Sequence, residues 1–298
     1  MSYTNIVKEE VFLKEIEIEK EKHYELLAIL KCKNAILNNK ILLKIENLNL
    51  ANRIYKFLKE FSSLRIHIKY SITKSFGEHK VYIIEIPYQK GYNEFIENLN
   101  KLEDKLVRRL ADKAVIGFTR GAFLATGYIK EPNKEYALDF FIDLEEGAKL
   151  LYKVLRNTGR RVFLTQKKNK HLVYLRNSED IMDILVMIGA VKSFFEYEEI
   201  TMVKDIKNKT IREMNWEVAN EMKTLDTAQK QINIINYISE NYGLDNLSSV
   251  LKEAAIVRLN NPEASLTEIA NKVGISKSGI RNRFRRLEEL YNELIEEN

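Results

Sequence analysis

The sequence has little that would break a chain or staple it. Its 298 residues hold 3 Pro, 11 Gly and a single Cys. The lone Cys32 excludes a disulfide scaffold and a cysteine-based zinc finger, and on an apolar helix it reads as a small buried hydrophobe. No apolar run approaches the roughly 20 residues of a membrane span. The longest uncharged one near a predicted helix is Ile184–Val191. Lys8, Glu9, Glu10 and Lys14 among the first residues do not read as a signal peptide. His23, His67, His79 and His171 form no i, i+4 pair and have no acids at zinc-ligand spacing. Gly117, Gly121 and Gly127 make neither a dinucleotide fingerprint nor a Walker loop and are read as points of close helix packing. No Ser/His/Asp set can be placed. The expectation is a soluble, cytoplasmic protein with no cofactor, no metal, no small-molecule substrate and no membrane partner.

What is present is a core-forming composition, 45% apolar and 31% charged. Lys and Arg number 48 against 43 Asp and Glu, a net charge of +5. Diluted over the chain, that charge names no partner; its position decides.

The first two-thirds carry an internal repeat. Ala51-Asn52-Arg53-Ile54-Tyr55-Lys56-Phe57-Leu58-Lys59 matches Ala148-Lys149-Leu150-Leu151-Tyr152-Lys153-Val154-Leu155-Arg156 at a constant offset of 97. Ile45-Glu46 and Ile142-Asp143 keep the same offset. Period-2 segments flank each helix: Ile66, Ile68, Tyr70 and Ile72 alternate with polar residues, and Val162–Lys167 with His171–Leu175 reads as a hairpin. Each half reads α-β-β-α-β-β-α. After residue 200 the chain reads as all α: a polar, partly helical connector over 201–224, in which Trp216 could dock onto either domain, and then helices.

Residues 265–287 carry a helix-turn-helix pattern. Ser265 and Glu268 form a capping box, Ala270 is small, Gly274 supplies the turn, and Ser276 caps a second helix. The apolar stripe of that helix is Ile280, Phe284, Leu287 and Tyr291, at i, i+4, i+7 and i+11. Between Lys272 and Arg286 there are six cations and no acid, and the twelve residues that follow hold five Glu and no cation. Lys277, Ser278, Arg281, Asn282 and Arg285 fall opposite the apolar stripe, the composition of a recognition helix. Arg pairs bidentately with guanine and Asn with adenine. Lys277, Arg283 and Arg286 are placed as phosphate contacts.

Gly121-Ala122-Phe123-Leu124-Ala125-Thr126-Gly127 resembles the core helix of LAGLIDADG homing endonucleases, as does the duplication. In that family each core helix ends in an acid before the last Gly, and the two acids hold the metals that cleave DNA. Here those positions are Thr126 and, in Ala28-Ile29-Leu30-Lys31-Cys32-Lys33-Asn34, Lys33. The resemblance with these acids missing implies an inactive scaffold. With Arg120-Gly121-Ala122-Phe123-Leu124-Ala125, Ile188-Gly189-Ala190 and Ile275-Ser276-Lys277-Ser278-Gly279-Ile280 added, nearly the whole chain resembles the WhiA family of bacterial sporulation and cell-division regulators. That resemblance implies a sequence-specific DNA-binding transcriptional regulator acting in cell division, chromosome segregation or sporulation, located on the nucleoid. The family usually reads Asn-His-Arg after Ser-Lys-Ser-Gly-Val/Ile; this chain has Arg281-Asn282-Arg283, so its target sequence can differ.

The expected architecture is α+β: a duplicated LAGLIDADG-like domain (1–110 and 111–200), a linker (201–224) and an all-α helix-turn-helix domain (225–298). Double-stranded DNA is the expected partner, with a transcription-machinery or division protein as a second. Arg65, His67 and Lys69, with Arg161 and Lys167 in the second half, line strand faces open to DNA or protein. The alternatives are an active LAGLIDADG-type nuclease, an RNA-splicing cofactor or a protein-interaction hub.

Overall fold

The computed structural model describes residues 2–73, 79–107 and 113–296. The chain divides into two compact units, 1–204 and 205–298. The expected boundary between the repeats, at 110/111, lies outside the described residues.

The first unit opens with a helix the repeat pattern did not contain, α1 (Tyr3–Leu13). The two repeats follow as expected. The first runs α2 (Glu19–Cys32), β1 (Ile36–Leu37), β2 (Lys40–Ile45), α3 (Leu48–Phe61), β3 (His67–Thr73), β4 (His79–Pro87) and α4 (Tyr92–Val107). The second runs α5 (Lys113–Thr126), β5 (Gly127–Ile129), β6 (Leu138–Ile142), α6 (Glu145–Arg156), β7 (Phe163–Lys167), β8 (Lys170–Leu175) and α7 (Ser178–Ile188). Each repeat makes a four-stranded antiparallel sheet, with orders β1-β2-β4-β3 and β5-β6-β8-β7. The identical order is independent support for duplication. The 97-residue offset falls on α3 and α6, each of which buries one face: Ile54, Phe57 and Leu58 in one, Leu151, Val154 and Leu155 in the other.

The alternation in β3 does not mark a buried face. Ile68, Tyr70 and Ile72 are exposed along with His67, Lys69 and Ser71. β3 is an edge strand of its sheet, while α3 packs on β2 and β4; the strand keeps a β pattern beyond the helix that would cover it.

The two sheets meet through α2 and α5, which are buried over most of their length. Glycine makes the approach possible. A Cβ on Gly117 would stand 2.2 Å from the Glu21 carbonyl oxygen, and one on Gly121 2.2 Å from that of Glu25. Gly127 serves a different purpose from the one expected, because its neighbour is Phe123 of its own chain turn. Cys32 is buried in this core.

Charge is buried at the same helix pair. Arg120 lies 2.9 Å from Glu21 and 3.5 Å from Glu25, and Arg53 lies 2.8 Å from Glu25. Arg120 also donates from Nε to the Ile188 carbonyl at 3.1 Å. One guanidinium thus ties α2 of the first repeat to the end of α7 in the second. Gly189, at φ 90°, stops α7 in a left-handed C-cap.

The connector is not partly but wholly helical: α8 runs from Val191 to Asn241. No Pro or Gly occurs between Ala190 and Gly243, so nothing breaks it. Thr210, Thr224 and Thr227 hydroxyls donate back to carbonyls four residues earlier instead of capping new helices. Glu10 caps its start, accepting from the Lys192 and Ser193 amides at 2.6 and 2.9 Å. Trp216 is not docked; it is 69% exposed.

The second unit continues with α9 (Ser249–Leu259), α10 (Leu266–Val273) and α11 (Lys277–Glu296). Its core gathers Ile235 and Ile238 of α8, Ala254 and Ala255 of α9, Ile269 and Ala270 of α10, and Ile280, Phe284 and Leu287 of α11. No described helix is long and apolar enough to cross a membrane.

Candidate nucleic-acid interface

The α10–turn–α11 segment forms as its residues dictate. Ser265 accepts from the Glu268 amide at 3.3 Å, and the Glu268 carboxylate accepts from the Ser265 amide at 2.7 Å. These bonds hold the Glu268 carboxyl below its usual range. Gly274 adopts φ 74°, and its amide closes α10 onto Asn271. Ser276 accepts from the Gly279 amide at 3.1 Å, which starts α11. Ala270 is buried where α9 and α11 close in. Ile280, Phe284 and Leu287 face that core, and Tyr291 is half-buried at its edge with its ring 5.0 Å from that of Tyr237.

The outward face of α11 holds most of the expected site. Lys277, Ser278, Arg281, Asn282, Arg285 and Arg286 are all exposed. Ser278, Arg281, Asn282 and Arg285 lie together opposite the apolar stripe, by the 100° advance per residue of an α-helix. Arg285 sits 3.5 Å from Glu289, one turn on, a solvated pair that leaves it free to turn outward. Arg283 does not join them. Its side chain is 18% exposed, lies 2.8 Å from Glu253 and donates to the Val250 carbonyl at 3.1 Å. It holds α11 against α9.

The motif did not reveal Arg258. It is buried, donates from Nε to Gln231 at 3.0 Å and from Nη1 to the Asn261 and Ala264 carbonyls, and lies 5.4 Å from the centre of the Phe284 ring. Burial holds its pKa below the ordinary arginine value. It fixes the loop into α10 and the inner face of α11 together. The one signal was a cation in the apolar run Ala254-Ala255-Ile256-Val257-Arg258-Leu259, just ahead of Asn260-Asn261-Pro262.

In the first unit Thr126 ends α5 and Lys33 caps the end of α2. The Thr126 hydroxyl donates to the Ala122 carbonyl at 2.9 Å, so it is spent on its own helix. Lys33 is half-buried, and burial holds its ammonium below the usual lysine value against the pull of Asp143 and Glu46. Lys8 of α1 stands over the Phe123 ring, and burial with the charge of Lys33 lowers its pKa to about 8. Two lysines and a committed hydroxyl do not fit a divalent cation, which needs oxygen ligands. Among the described residues, no three His, Cys, Asp or Glu converge as a metal site. Asp143 is itself paired with Lys170 at 3.3 Å.

The strand faces are less cationic than their sequence implied. Lys69 approaches Glu85 at 3.9 Å, and Arg161 is engaged by Asp180 at 3.0 Å. The second sheet presents rings instead: Phe163 stacks on Tyr174 at 5.4 Å, and Arg176 lies 4.6 Å over Tyr174.

Comparison with known proteins follows the same division. The family model of the WhiA LAGLIDADG-like domain matches residues 115–207, and that of the WhiA C-terminal HTH domain matches 211–291. A probable cell division protein WhiA from Ligilactobacillus salivarius is 31% identical over 97% of this chain and 96% of its own. One from Clostridium tetani is 32% identical over 100% of this chain and 99% of its own. The crystal structure of full-length DUF199/WhiA from Thermotoga maritima superposes with a TM-score of 0.59 at 23% identity, covering 98% of this chain and 99% of that one. It shares the fold. With the duplicated LAGLIDADG-like unit, the helix-turn-helix and these end-to-end relatives together, the chain belongs to the WhiA family.

Proposed function

We propose that residues 225–298 bind double-stranded DNA through α11, and that the chain is a sequence-specific transcriptional regulator acting in cell division, chromosome segregation or sporulation. The observation that carries this reading is the exposed row Ser278, Arg281, Asn282 and Arg285, flanked by Lys277 and Arg286 and opposite a buried stripe on one helix. Arg281, Asn282 and Arg285 read base edges in the major groove. Lys277 and Arg286 contact phosphates. Arg283 positions the helix through Glu253. The protein works in the cytoplasm, on the nucleoid.

The LAGLIDADG-like repeats, 1–110 and 111–200, act as an inactive scaffold joined to this domain through 201–224. Lys8 and Lys33 near the position of the metals, with Thr126 turned onto its own helix, support that reading. A transcription-machinery or division protein is the second partner. Cleavage is tested by incubating supercoiled and linear DNA with the purified chain and Mg²⁺ or Mn²⁺. Intact DNA is expected, and nicking that tracks the protein through purification overturns the scaffold reading. Binding is tested by selecting duplex sites with the wild-type chain and measuring them against an Arg281→Ala/Arg285→Ala variant, which should lose its preference over random duplex.

A further inference from the structure

Arg258 is buried in the second unit, and among the described residues no carboxylate pairs with it. A buried cation without an acid costs free energy that an apolar side chain of similar volume would not, so filling space does not account for it. Its contacts come from three other segments. Nε donates to Gln231 of α8 at 3.0 Å. Nη1 donates to the Asn261 and Ala264 carbonyls at 3.3 and 2.5 Å, and Ala264 immediately precedes Ser265, the N-cap of α10. The guanidinium carbon lies 5.4 Å from the centre of the Phe284 ring on the inner face of α11. Phe284 is the neighbour of Arg285 in sequence.

We propose that Arg258 is a positioning residue for base reading: it holds the start of α10 and the inner face of α11 in the one orientation in which Arg281, Asn282 and Arg285 meet base edges. This rests on α11 being the recognition helix. A turn of about 20° about the axis moves a side-chain tip at the ~6 Å radius of a helix by about 2 Å. That is more than the spread of hydrogen-bond lengths. Bidentate contacts to bases have a fixed geometry and do not survive such a shift. A flexible point charge such as Lys277 can follow it and keep its phosphate. Arg258 therefore acts on the choice of sequence more than on affinity for duplex in general. Lysine cannot replace it, because the guanidinium presents its donors in a fixed fork and an ammonium does not.

The test uses the full chain and two duplexes: the site that the wild-type chain selects from a random pool, and a scrambled duplex of the same length. Arg258→Lys and Arg258→Met are compared with the wild type at a temperature at which circular dichroism shows each chain folded. Affinity for the selected site should fall at least about tenfold in both variants, within the range of one good bidentate contact. Affinity for the scrambled duplex, and its slope against salt, should stay near wild type, since the phosphate contacts remain. Gln231→Leu removes one acceptor and leaves Arg258 in place. It should move the ratio of the two affinities in the same direction, and it carries the test if an Arg258 variant does not fold. An unchanged ratio in the folded variants, or an equal loss on both duplexes, overturns the inference and leaves the recognition helix standing. A wild-type chain that selects no site overturns the reading on which the inference rests.

Discussion

Arg283 of α11, read from the sequence as a phosphate contact, reaches the Glu253 carboxylate of α9 at 2.8 Å. The pair separates two roles among the arginines of one helix. Arg281, Arg285 and Arg286 project outward; Arg283 sets the angle at which they do so.

Replacing Arg283 with Ala should therefore act on stability before affinity. The Glu253 end is half in solvent, so the expected loss is about 0.5–1 kcal/mol, read as a lower Tm of the C-terminal unit. Duplex affinity should fall much less than in Arg281→Ala. An Arg283→Ala chain of unchanged Tm and abolished binding would return Arg283 to the phosphate contacts.

Lys277 stands exposed at the first turn of α11, and the proposed reading makes it a phosphate contact and not a base contact. Lys277→Ala should weaken binding to specific and random duplex alike. It should flatten the slope of log affinity against log salt by about one unit. A loss confined to the specific site would make Lys277 a base contact.

Two glycines should respond differently to Ala. At Gly121 the new methyl would overlap the Glu25 carbonyl, prying α2 from α5 at a cost of about 3 kcal/mol or more. At Gly274 nothing lies within 4 Å, but φ is +74°, and the left-handed backbone alone costs about 1–2 kcal/mol. Thermal unfolding of both variants compares them. A Gly121→Ala chain as stable as the wild type would contradict the close approach of the helices.

Glu25 gives the first unit a pH dependence. It lies near Arg53 and Arg120, yet among the described residues neither of its oxygens accepts a well-aligned hydrogen bond. Burial, opposed by the two arginines, pushes its carboxyl up to about 7 from an ordinary 4.5. Between those values the folded chain holds a proton that the unfolded chain has released, so stability falls as pH rises from about 4.5 to 7. Glu25→Gln should remove that slope. An identical pH profile of Tm in wild type and Glu25→Gln would show that Glu25 does not titrate there.

Much of this was legible in the residues because it is local. The capping box at Ser265 and Glu268, the turn at Gly274 and the stripe Ile280, Phe284, Leu287 depend on neighbours within one or two turns, and all formed. The duplication was legible because two copies of one pattern reinforce each other. What escaped depends on partners distant in sequence. Nothing near Glu10 marks it as the cap of a helix beginning at Val191, and nothing near Arg120 shows that it meets Glu21 and the Ile188 carbonyl. Arg283 and Arg281 look alike until α9 is in place. The connector was misread because its Asn and Thr residues favour breaks, whereas the lack of Pro and Gly from Val191 to Tyr242 lets one helix continue.

On the proposed reading, α11 selects DNA through Arg281 and Arg285. Chromosome-wide occupancy of the wild-type chain, measured beside an Arg281→Ala/Arg285→Ala chain at equal abundance, tests it most directly. The expected result is discrete peaks for the wild type, sharing a sequence motif, and their disappearance in the variant. The same peaks at the same heights in both chains would contradict it.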